Sequence, residues 1–190
     1  GVGNMLGRNQ SGHIASIGFD LYSKLIEETV KELKGEEVQG QFIEPEIDLQ
    51  VKGYIPKNYV PDLNQRLDLY RRLQLLDTLD DCSAIKRELI DRYGKLSESV
   101  EKLLFLVVIK TICKKLHIHK VYVVDGQARF EVKSTTPISP EKLSGNFETG
   151  FVFVSEFCLG LKLKCKNWKE DMLLITDNLN VILGLVDNVQ

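Results

Sequence analysis

The fold is decided by the stretch VYVVDGQARFEV, residues 121–132. Two runs rich in valine and aromatic residues flank the pair Asp125 and Gly126. Because Asp-Gly suits the positive backbone angles of a tight primed turn, the stretch predicts a β-hairpin. An apolar strand ending in a magnesium-binding aspartate would look similar, but the turn already accounts for Asp125.

Further strands and a helix are predicted on the C-terminal side of this hairpin. A short turn of helix at residues 139–145 precedes two strand patterns at 151–156 and 157–165. Asn167 followed by Glu170 predicts the capped start of a last helix. Its apolar face holds Ile175, Leu179, Ile182 and Val186.

On the N-terminal side of the hairpin the apolar spacing predicts three helices. The first runs from Asp62 to about residue 76, the second from about residue 83 to 93 with Gly94 as its C-cap, and the third from Ser97 to about residue 116. A strand pattern at residues 47–51 precedes them. Strands and helices are therefore segregated along the chain, which predicts an α+β fold with a small, mainly antiparallel sheet.

The N-terminal part has a different organisation. Helical spacing from residue 17 to 33 predicts an amphipathic helix. Residues 36–46 are polar and contain Gly40 and Pro45, which predicts a linker. We therefore expect a glycine-rich loop and helix at 1–35, the linker at 36–46, and a compact domain at 47–190. Because the chain starts at Gly1 inside an apparent motif, we expect a piece of a longer protein.

Composition excludes several classes of protein. Of the 190 residues 43% are hydrophobic and 27% are charged, which is ordinary for a globular protein. The formal net charge of -2 does not mark a constitutive nucleic-acid or membrane-surface binder. No apolar run approaches the ~20 residues that a membrane span needs. The four cysteines form no C-x-x-C pair, so we expect a reduced intracellular protein with mostly buried thiols.

The sequence lacks the motifs of an independent catalyst. The glycines near the N-terminus do not have dinucleotide-binding spacing, and Gly94-Lys95 is not followed by Ser or Thr as in a phosphate loop. His117 and His119 have no third ligand nearby, so a metal site is not favoured. We expect no catalytic residue, no metal and no cofactor. A cluster of three lysines, Lys110, Lys114 and Lys115, reads as a solvated face, with a phosphate-contacting patch as the alternative.

The N-terminal stretch GVGNMLGRNQSGHI, residues 1–14, is unusually rich in glycine. Such spacing suits a backbone that approaches another surface closely, and Arg8 and Gln10 could reach phosphates. A loop that merely needs its turns would look the same. The composition leaves these two interpretations level.

The sequence of this stretch resembles the segment after the last helicase motif in the transcription-repair coupling factor (Mfd) family. It resembles the matching segment of the helicase RecG less closely. The family pattern G-x-G-N-x-L-G-x-x-Q-S-G is matched by Gly1, Gly3, Asn4, Leu6, Gly7, Gln10, Ser11 and Gly12. The resemblance implies a translocation motif that couples nucleotide state to movement on duplex DNA. Its contact residues here would be Gly3, Asn4, Gly7, Arg8 and Gln10.

Three further blocks resemble the same family. They are YIPKNYVPD at residues 54–62, RLDLYRR at 66–72 and ELIDRYG at 88–94. Their order and spacing are similar to those of the C-terminal domain that is peculiar to coupling factors and that RecG lacks. The resemblance is clear from residue 1 to about residue 94.

The resemblance implies a role as a regulatory domain. The family uses ATP and Mg²⁺ in motor domains to push on DNA, displaces stalled RNA polymerase and recruits the excision-repair protein UvrA in the bacterial cytoplasm. Its C-terminal domain is expected to mask the N-terminal UvrA-binding module of the same chain, with Glu88 and Asp91 at the positions assigned to that contact.

Glu88 and Asp91 are three residues apart, so on a helix they share one face. A solvated face with Arg87 and Arg92 as neighbours is the structural alternative. For the whole chain, the alternative function is a freestanding nucleic-acid-binding module that uses Arg8, Gln10 and residues 110–120.

Overall fold

The predicted hairpin is present. The structure, a computed structural model, describes residues 44–133, 136, 150–164 and 166–187. Strands β2 (Ile118–Val124) and β3 (Gln127–Val132) pair antiparallel, with Val124 opposite Gln127. Asp125 and Gly126 between them have φ angles of 50° and 70°. These are the positive angles of a primed turn, so the local sequence sets the register of the pair.

Five strands and four helices are described, and they confirm the predicted α+β class. The other strands are β1 (Glu46–Asp48), β4 (Phe151–Ser155) and β5 (Cys158–Lys162), and the helices are α1 (Leu63–Gln74), α2 (Leu79–Tyr93), α3 (Glu98–Lys115) and α4 (Trp168–Asp187). The sheet order is β1-β2-β3-β5-β4. Among the described strands only β1 pairs in parallel, with β2. The three helices between β1 and β2 in the chain provide the long crossover connection that a parallel pair requires.

The described residues fall into two compact units. One comprises residues 52–104 and the other residues 44–51 together with the described residues after 104. The first unit holds α1, α2 and the start of α3. The second holds the sheet, the remainder of α3, and α4. Each unit has its own apolar core.

In the sheet unit, one face of the sheet is buried. Along β3 every second side chain is buried, and Phe130 at its centre is fully enclosed. Its ring meets that of Phe151 edge-on at 5.0 Å. Buried apolar side chains of α3 and α4 complete this core: Leu106, Val107, Ile109, Ile112, Cys113, Leu116, Met172, Ile175, Leu179, Ile182 and Leu183. The alternation along β3 thus determines which face of the sheet takes part in the core.

Two helix starts follow their sequence signals. The Asp62 carboxylate accepts from the Gln65 amide at 2.8 Å and begins α1. The Asn167 side chain accepts from the Glu170 amide at 2.9 Å, and Glu170 accepts from the Asn167 side chain at 2.7 Å. The Asn167 cap starts α4 one residue later, as predicted, and the bond between the two side chains holds the cap in place.

Two predicted boundaries are wrong. Helix α2 begins at Leu79 and not near residue 83, because Thr78 accepts from the Asp81 amide at 3.1 Å and caps it. The first strand is Glu46–Asp48 and not 47–51, and Gln50 beyond it has a φ of 56°, which is incompatible with an extended strand. In both places a polar or turning residue, and not the apolar spacing, sets the end of the element.

Several predictions lie wholly or mostly outside the described residues. These are the glycine-rich loop and helix at 1–35, the linker at 36–46 and the helical turn at 139–145. The domain boundaries therefore stay predictions. Of the cysteines, Cys82 and Cys113 are buried, as expected, and neither forms a disulfide with a described residue. Burial raises the pKa of the Cys113 thiol.

Membrane-spanning helices and metal-ligand clusters are both absent from the described residues. Every helix there is too short or too polar to cross a membrane. Within the same residues, His, Cys, Asp and Glu form no group of three or more that could hold a metal ion.

Candidate partner-binding surface

Helix α2 carries both residues of the predicted acidic pair. Its C-terminal half presents Glu88 and Asp91 one turn apart, so they do share a face as the spacing predicts. The two carboxylates nevertheless have different surroundings. Glu88 is half-buried, with its side chain 29% exposed, whereas Asp91 is exposed.

Glu88 is held by two arginines of its own chain. The Arg72 guanidinium on α1 donates from Nη1 to Glu88 Oε1 at 2.9 Å and from Nη2 to Glu88 Oε2. Arg92, four residues further along α2, donates to the same Oε1 at 2.9 Å. The two bonds from Arg72 form the fork that suits a carboxylate. Glu88 therefore links α1 to α2 in addition to any role at the surface.

These contacts hold the pKa of the Glu88 carboxyl far below its usual range. The hydrogen bonds from Arg72 contribute most, partial burial opposes them, and Arg92 adds to the lowering, so that the pKa falls from 4.5 to about 2. Glu88 is thus a permanent anion near neutral pH. Its charge is matched inside the domain.

Asp91 presents an unmatched charge. Its carboxylate makes no hydrogen bond or ion pair with any residue that the structure describes. The neighbouring Arg87 is exposed as well. The structural alternative of a solvated face with Arg87 and Arg92 nearby therefore describes Asp91, while Glu88 belongs to the contact between α1 and α2.

The C-terminal end of α2 is fixed by two tyrosines. The Tyr59 hydroxyl donates to the carbonyl of Leu89 at 3.0 Å or to that of Gly94 at 3.1 Å. One carbonyl belongs to the last part of α2 and the other to the residue that follows the helix. The Tyr59 ring lies 5.8 Å from that of Tyr93, whose hydroxyl donates to Gln65 Oε1 at 2.8 Å. The helix end that carries Asp91 is thereby held in place.

The connection before α1 is also tied to the helices. Arg66 is buried and donates to the carbonyls of Val60 and Pro61 at 2.6 and 2.9 Å. The Ile55 amide donates to the Tyr70 hydroxyl at 2.7 Å. Proline has no backbone N–H, so a segment with two prolines can form fewer backbone hydrogen bonds of its own. Arg66 and Tyr70 of α1 hold this segment in place with their side chains instead.

The three sequence blocks therefore form one structural cluster. The block at 54–62 supplies Tyr59, the block at 66–72 supplies Arg66, Tyr70 and Arg72, and the block at 88–94 supplies Glu88, Arg92 and Tyr93. Sequence reasoning singled out Glu88 and missed Arg72 and Tyr59. Their presence in the same blocks was the available signal, but spacing alone does not pair residues from different elements.

The Glu88 contacts predict a pH-dependent contribution to stability. Since the folded-state pKa lies below the ordinary 4.5, the contribution is complete above about pH 4.5 and is lost as the pH falls towards 2. Solvent screens this half-exposed pair, so we expect about 1 kcal/mol.

Urea unfolding of the chain and of Glu88→Gln, measured between pH 7 and pH 3, checks this prediction. The difference in unfolding free energy between the two proteins should be largest at pH 7 and should shrink below about pH 4.5, where other carboxyls titrate equally in both. A difference that does not change with pH would contradict it.

The basic stretch at residues 110–120, at the end of α3 and the start of β2, is largely paired with acidic side chains. Lys110 and Lys114 both contact the Glu44 carboxylate, the second at 3.3 Å, and Lys120 lies 3.5 Å from Glu46. The Lys110 side chain is only 12% exposed. These pairs weaken the case for a phosphate-contacting patch. The predicted DNA-contacting residues, Gly3, Asn4, Gly7, Arg8 and Gln10, lie outside the described residues.

Comparison with known proteins points to one family. Residues 49–143 match the family model described as the TRCF domain. A transcription-repair-coupling factor of Bacillus subtilis is 31% identical over 166 residues, which cover 86% of this chain and 14% of that protein. The corresponding protein of Myxococcus xanthus is 41% identical over 118 residues, covering 62% of this chain and 10% of the relative. The chain thus spans a small fraction of these bacterial relatives.

A solved structure shares the fold. The crystal structure of the C-terminal domain of a transcription-repair coupling factor aligns with a TM-score of 0.64 and 20% sequence identity, over 77% of this chain and 96% of that one. It has the same α+β architecture. The match over half of the sequence and the agreement in fold lead to one conclusion: the chain belongs to the transcription-repair coupling factor family and carries its TRCF domain.

Proposed function

We propose that this chain acts as the C-terminal regulatory domain of a transcription-repair coupling factor, and that it masks the module of the parent protein that binds UvrA. The observation that carries the proposal is the exposed Asp91 carboxylate on a helix end that Tyr59 and Tyr93 hold fixed. A rigidly placed, unmatched carboxylate suits recognition of a cation on a partner surface. The domain itself needs no cofactor and catalyses no reaction for this role.

The two acidic residues have different parts in this proposal. Asp91 offers its charge directly to an arginine or lysine of the partner. Glu88 reaches the partner only if the partner's cation joins or replaces Arg72 and Arg92. We therefore assign the contact first to Asp91, and to Glu88 the positioning of Arg92 and of the helix end.

A charge reversal at Asp91 tests the proposal. In the full-length parent protein, Asp91→Lys should raise the affinity for UvrA by about tenfold or more, because the masking contact loses its attractive charge and gains a repulsive one. Biolayer interferometry with immobilised UvrA measures the change. Asp68→Lys is the matched control, since Asp68 is an equally exposed acidic side chain on α1 with only a distant ion pair to Arg71, 3.9 Å away.

The result is decisive in either direction. If Asp91→Lys and Asp68→Lys bind UvrA as the unaltered protein does, Asp91 does not hold the mask closed. Reversal of Glu88 as well should also expose the module, but it removes the bonds from Arg72 and Arg92 and lowers stability. The double variant with Glu88→Gln and Asp91→Lys is therefore preferable, because it does not place a third cation beside Arg72 and Arg92.

The wider activity is part of the same proposal. We infer that the parent protein works in the bacterial cytoplasm as an ATP-dependent translocase on duplex DNA, that ATP and Mg²⁺ bind in its motor domains, and that RNA polymerase is a further, indirect partner. The motif at residues 1–12 would belong to that motor. Coupling-factor relatives of bacterial origin support this proposal.

The alternative, a freestanding nucleic-acid-binding module, makes an opposite prediction. Such a protein would bind duplex DNA on its own, with an affinity that falls steeply as salt rises. The pairing of Lys110, Lys114 and Lys120 with glutamates disfavours it. Fluorescence anisotropy with labelled duplex DNA should show no salt-dependent binding by this chain.

A further inference from the structure

The outer face of the sheet, opposite the core, bears a cavity. The cavity has a volume of about 540 Å³ and is formed by residues of β2, β3, β4 and β5, or of the turns next to them. This volume is within the range of small ligand sites, about 300–1,000 Å³. Its lining combines apolar side chains such as Val154 and Phe157 with the polar groups of His119, Tyr122, Arg129 and Glu131.

Arg129 lies against the sheet at this cavity. On β3 it is opposite Tyr122 of β2 and Gly160 of β5. A Cβ on Gly160 would lie 3.6 Å from Arg129 Nη1 and only 2.7 Å from Val154 Cγ2. The missing side chain at Gly160 therefore makes room for Val154, and the guanidinium lies next to that space at van der Waals distance.

The guanidinium of Arg129 lacks acceptors. Its Nε and Nη1 atoms are shielded from water and have no hydrogen-bond partner in the structure of the described residues. Burying an N–H group without an acceptor is costly, and more so for a charged group. A ligand that supplies acceptor oxygens would relieve this cost once the Arg129 side chain turns towards the cavity, because both atoms are shielded in the unliganded structure.

Glu131, the nearest acid along β3, is occupied by other partners. Its Oε2 lies 3.4 Å from His119 Nε2, and the Tyr122 hydroxyl also hydrogen-bonds to its carboxylate. Burial, followed by the nearby Cys158 and Glu131, raises the pKa of Tyr122, so the phenol keeps the proton that it donates. The Glu131 carboxylate therefore does not supply what Arg129 lacks.

His119 also has a ring nitrogen without a hydrogen-bond partner, and this nitrogen needs a donor where Arg129 needs acceptors. Its Nδ1 is also shielded and has no partner among the described residues. With a proton on Nε2, facing Glu131, Nδ1 is an acceptor that needs a donor. One cavity thus borders donors without acceptors at Arg129 and an acceptor without a donor at His119.

The rim of the cavity is apolar. Val124, Val154 and Phe157 are each exposed by 39–46% and line it. Large apolar side chains around a shielded arginine are typical of a binding surface. A ligand that matches the site must carry a carboxylate, a neighbouring N–H donor and an apolar flank.

We propose that the outer face of the sheet binds an extended acidic peptide segment of a partner protein, whose carboxylate accepts from Arg129. A backbone N–H of the peptide donates to His119 Nδ1, and apolar side chains next to its acidic residue pack on Val154 and Phe157. A free carboxylate anion would satisfy Arg129 alone. This surface belongs to the sheet unit, whereas Asp91 belongs to the helical unit.

A designed peptide tests the proposal on the full 190-residue chain. The probe is an acetylated and amidated pentapeptide with Glu at its centre and two Val residues on each side, and its matched twin has Gln in place of Glu. Titration followed by ¹H–¹⁵N NMR should move the Arg129 Nε–H signal and the amide signals of β3 and β5. The Gln twin should bind at least about tenfold more weakly, since it lacks the charge-assisted bonds.

Variants separate the role of Arg129 from that of general charge. Arg129→Met should weaken binding of the Glu peptide by about tenfold or more, and Arg129→Lys, which keeps the charge but not the fork, should weaken it less. Lys164→Met, which removes one exposed positive charge from the loop after β5, should bind as the unaltered chain does. Well-dispersed amide spectra establish that each variant is folded.

Four results would overturn the proposal. The Glu and Gln peptides could bind equally, or Arg129→Met could bind as tightly as the unaltered chain. Acetate at the same carboxylate concentration could produce the same shifts, which would reduce the site to one for a simple anion. The Arg129 Nε–H signal could stay in place throughout, which would mean that the remainder of the chain already supplies its acceptor.

Discussion

Gly53→Ala should lower the free energy of unfolding by about 3 kcal/mol, the upper end of the usual cost of overpacking. A Cβ at Gly53 would lie 2.4 Å from the Leu103 nitrogen and 2.5 Å from its Cα. Both are backbone atoms of a fully buried residue in α3, so neither can rotate away. The adjacent Tyr54 amide donates to the Ser99 carbonyl at 3.1 Å, which fixes the segment against the same helix.

Urea unfolding followed by circular dichroism measures this effect. Gly184→Ala in α4 is the control, because nothing lies within 4 Å of the added Cβ. That variant should match the unaltered chain or be more stable by up to about 1 kcal/mol, as expected for alanine in a helix. Equal stability of Gly53→Ala and the unaltered chain would show that the segment at residue 53 does not approach α3 this closely.

Arg66→Met should cost a similar amount, about 3 kcal/mol, for a different reason. The Arg66 guanidinium is buried and donates to the Val60 and Pro61 carbonyls. Methionine keeps much of the apolar stem but leaves both acceptors without this donor. Hydrogen bonds from a charged group contribute about 1.5–3 kcal/mol each, and part of the loss is recovered where water reaches Pro61.

The neighbouring Arg71 provides the control for this variant. Its side chain is 63% exposed, and the nearest acid, Asp68, is 3.9 Å away. Arg71→Met should therefore change the unfolding free energy by no more than about 0.5 kcal/mol. If Arg66→Met and Arg71→Met lower the unfolding free energy equally, the bonds from Arg66 to the two-proline segment do not stabilise the fold.

Local signals in the sequence predicted much of this fold. The Asp125-Gly126 turn, the Asp62 cap and the Asn167 cap each depend on residues within a few positions of one another, and each is present in the structure. The start of α2 was predicted late because its first turn holds Asp80 and Asp81, which do not continue the apolar spacing. A cap such as Thr78 is visible in a sequence only when the helix start is sought from polar residues as well.

Contacts between distant residues could not be predicted in the same way. The spacing placed Glu88 and Asp91 on one face, but the partner of Glu88 is Arg72, 16 residues away on another helix. Which of several arginines reaches a carboxylate depends on how two helices pack. The parallel pairing of β1 with β2 is likewise set by the packing of residues far apart in the chain.

The last strand of the described sheet, β4, has a consequence for self-association. This edge strand exposes three apolar side chains, those of Val152, Phe153 and Val154. If the edge were long and regular, strands of other chains could pair with it. The register of β4 against β5 shifts between Phe153 and Ser155, which interrupts the ladder as a β-bulge does. Bulges twist an edge away from flat pairing, so this short strand resists growth of intermolecular sheets. Removing the bulge would convert an apolar edge into an aggregation hazard.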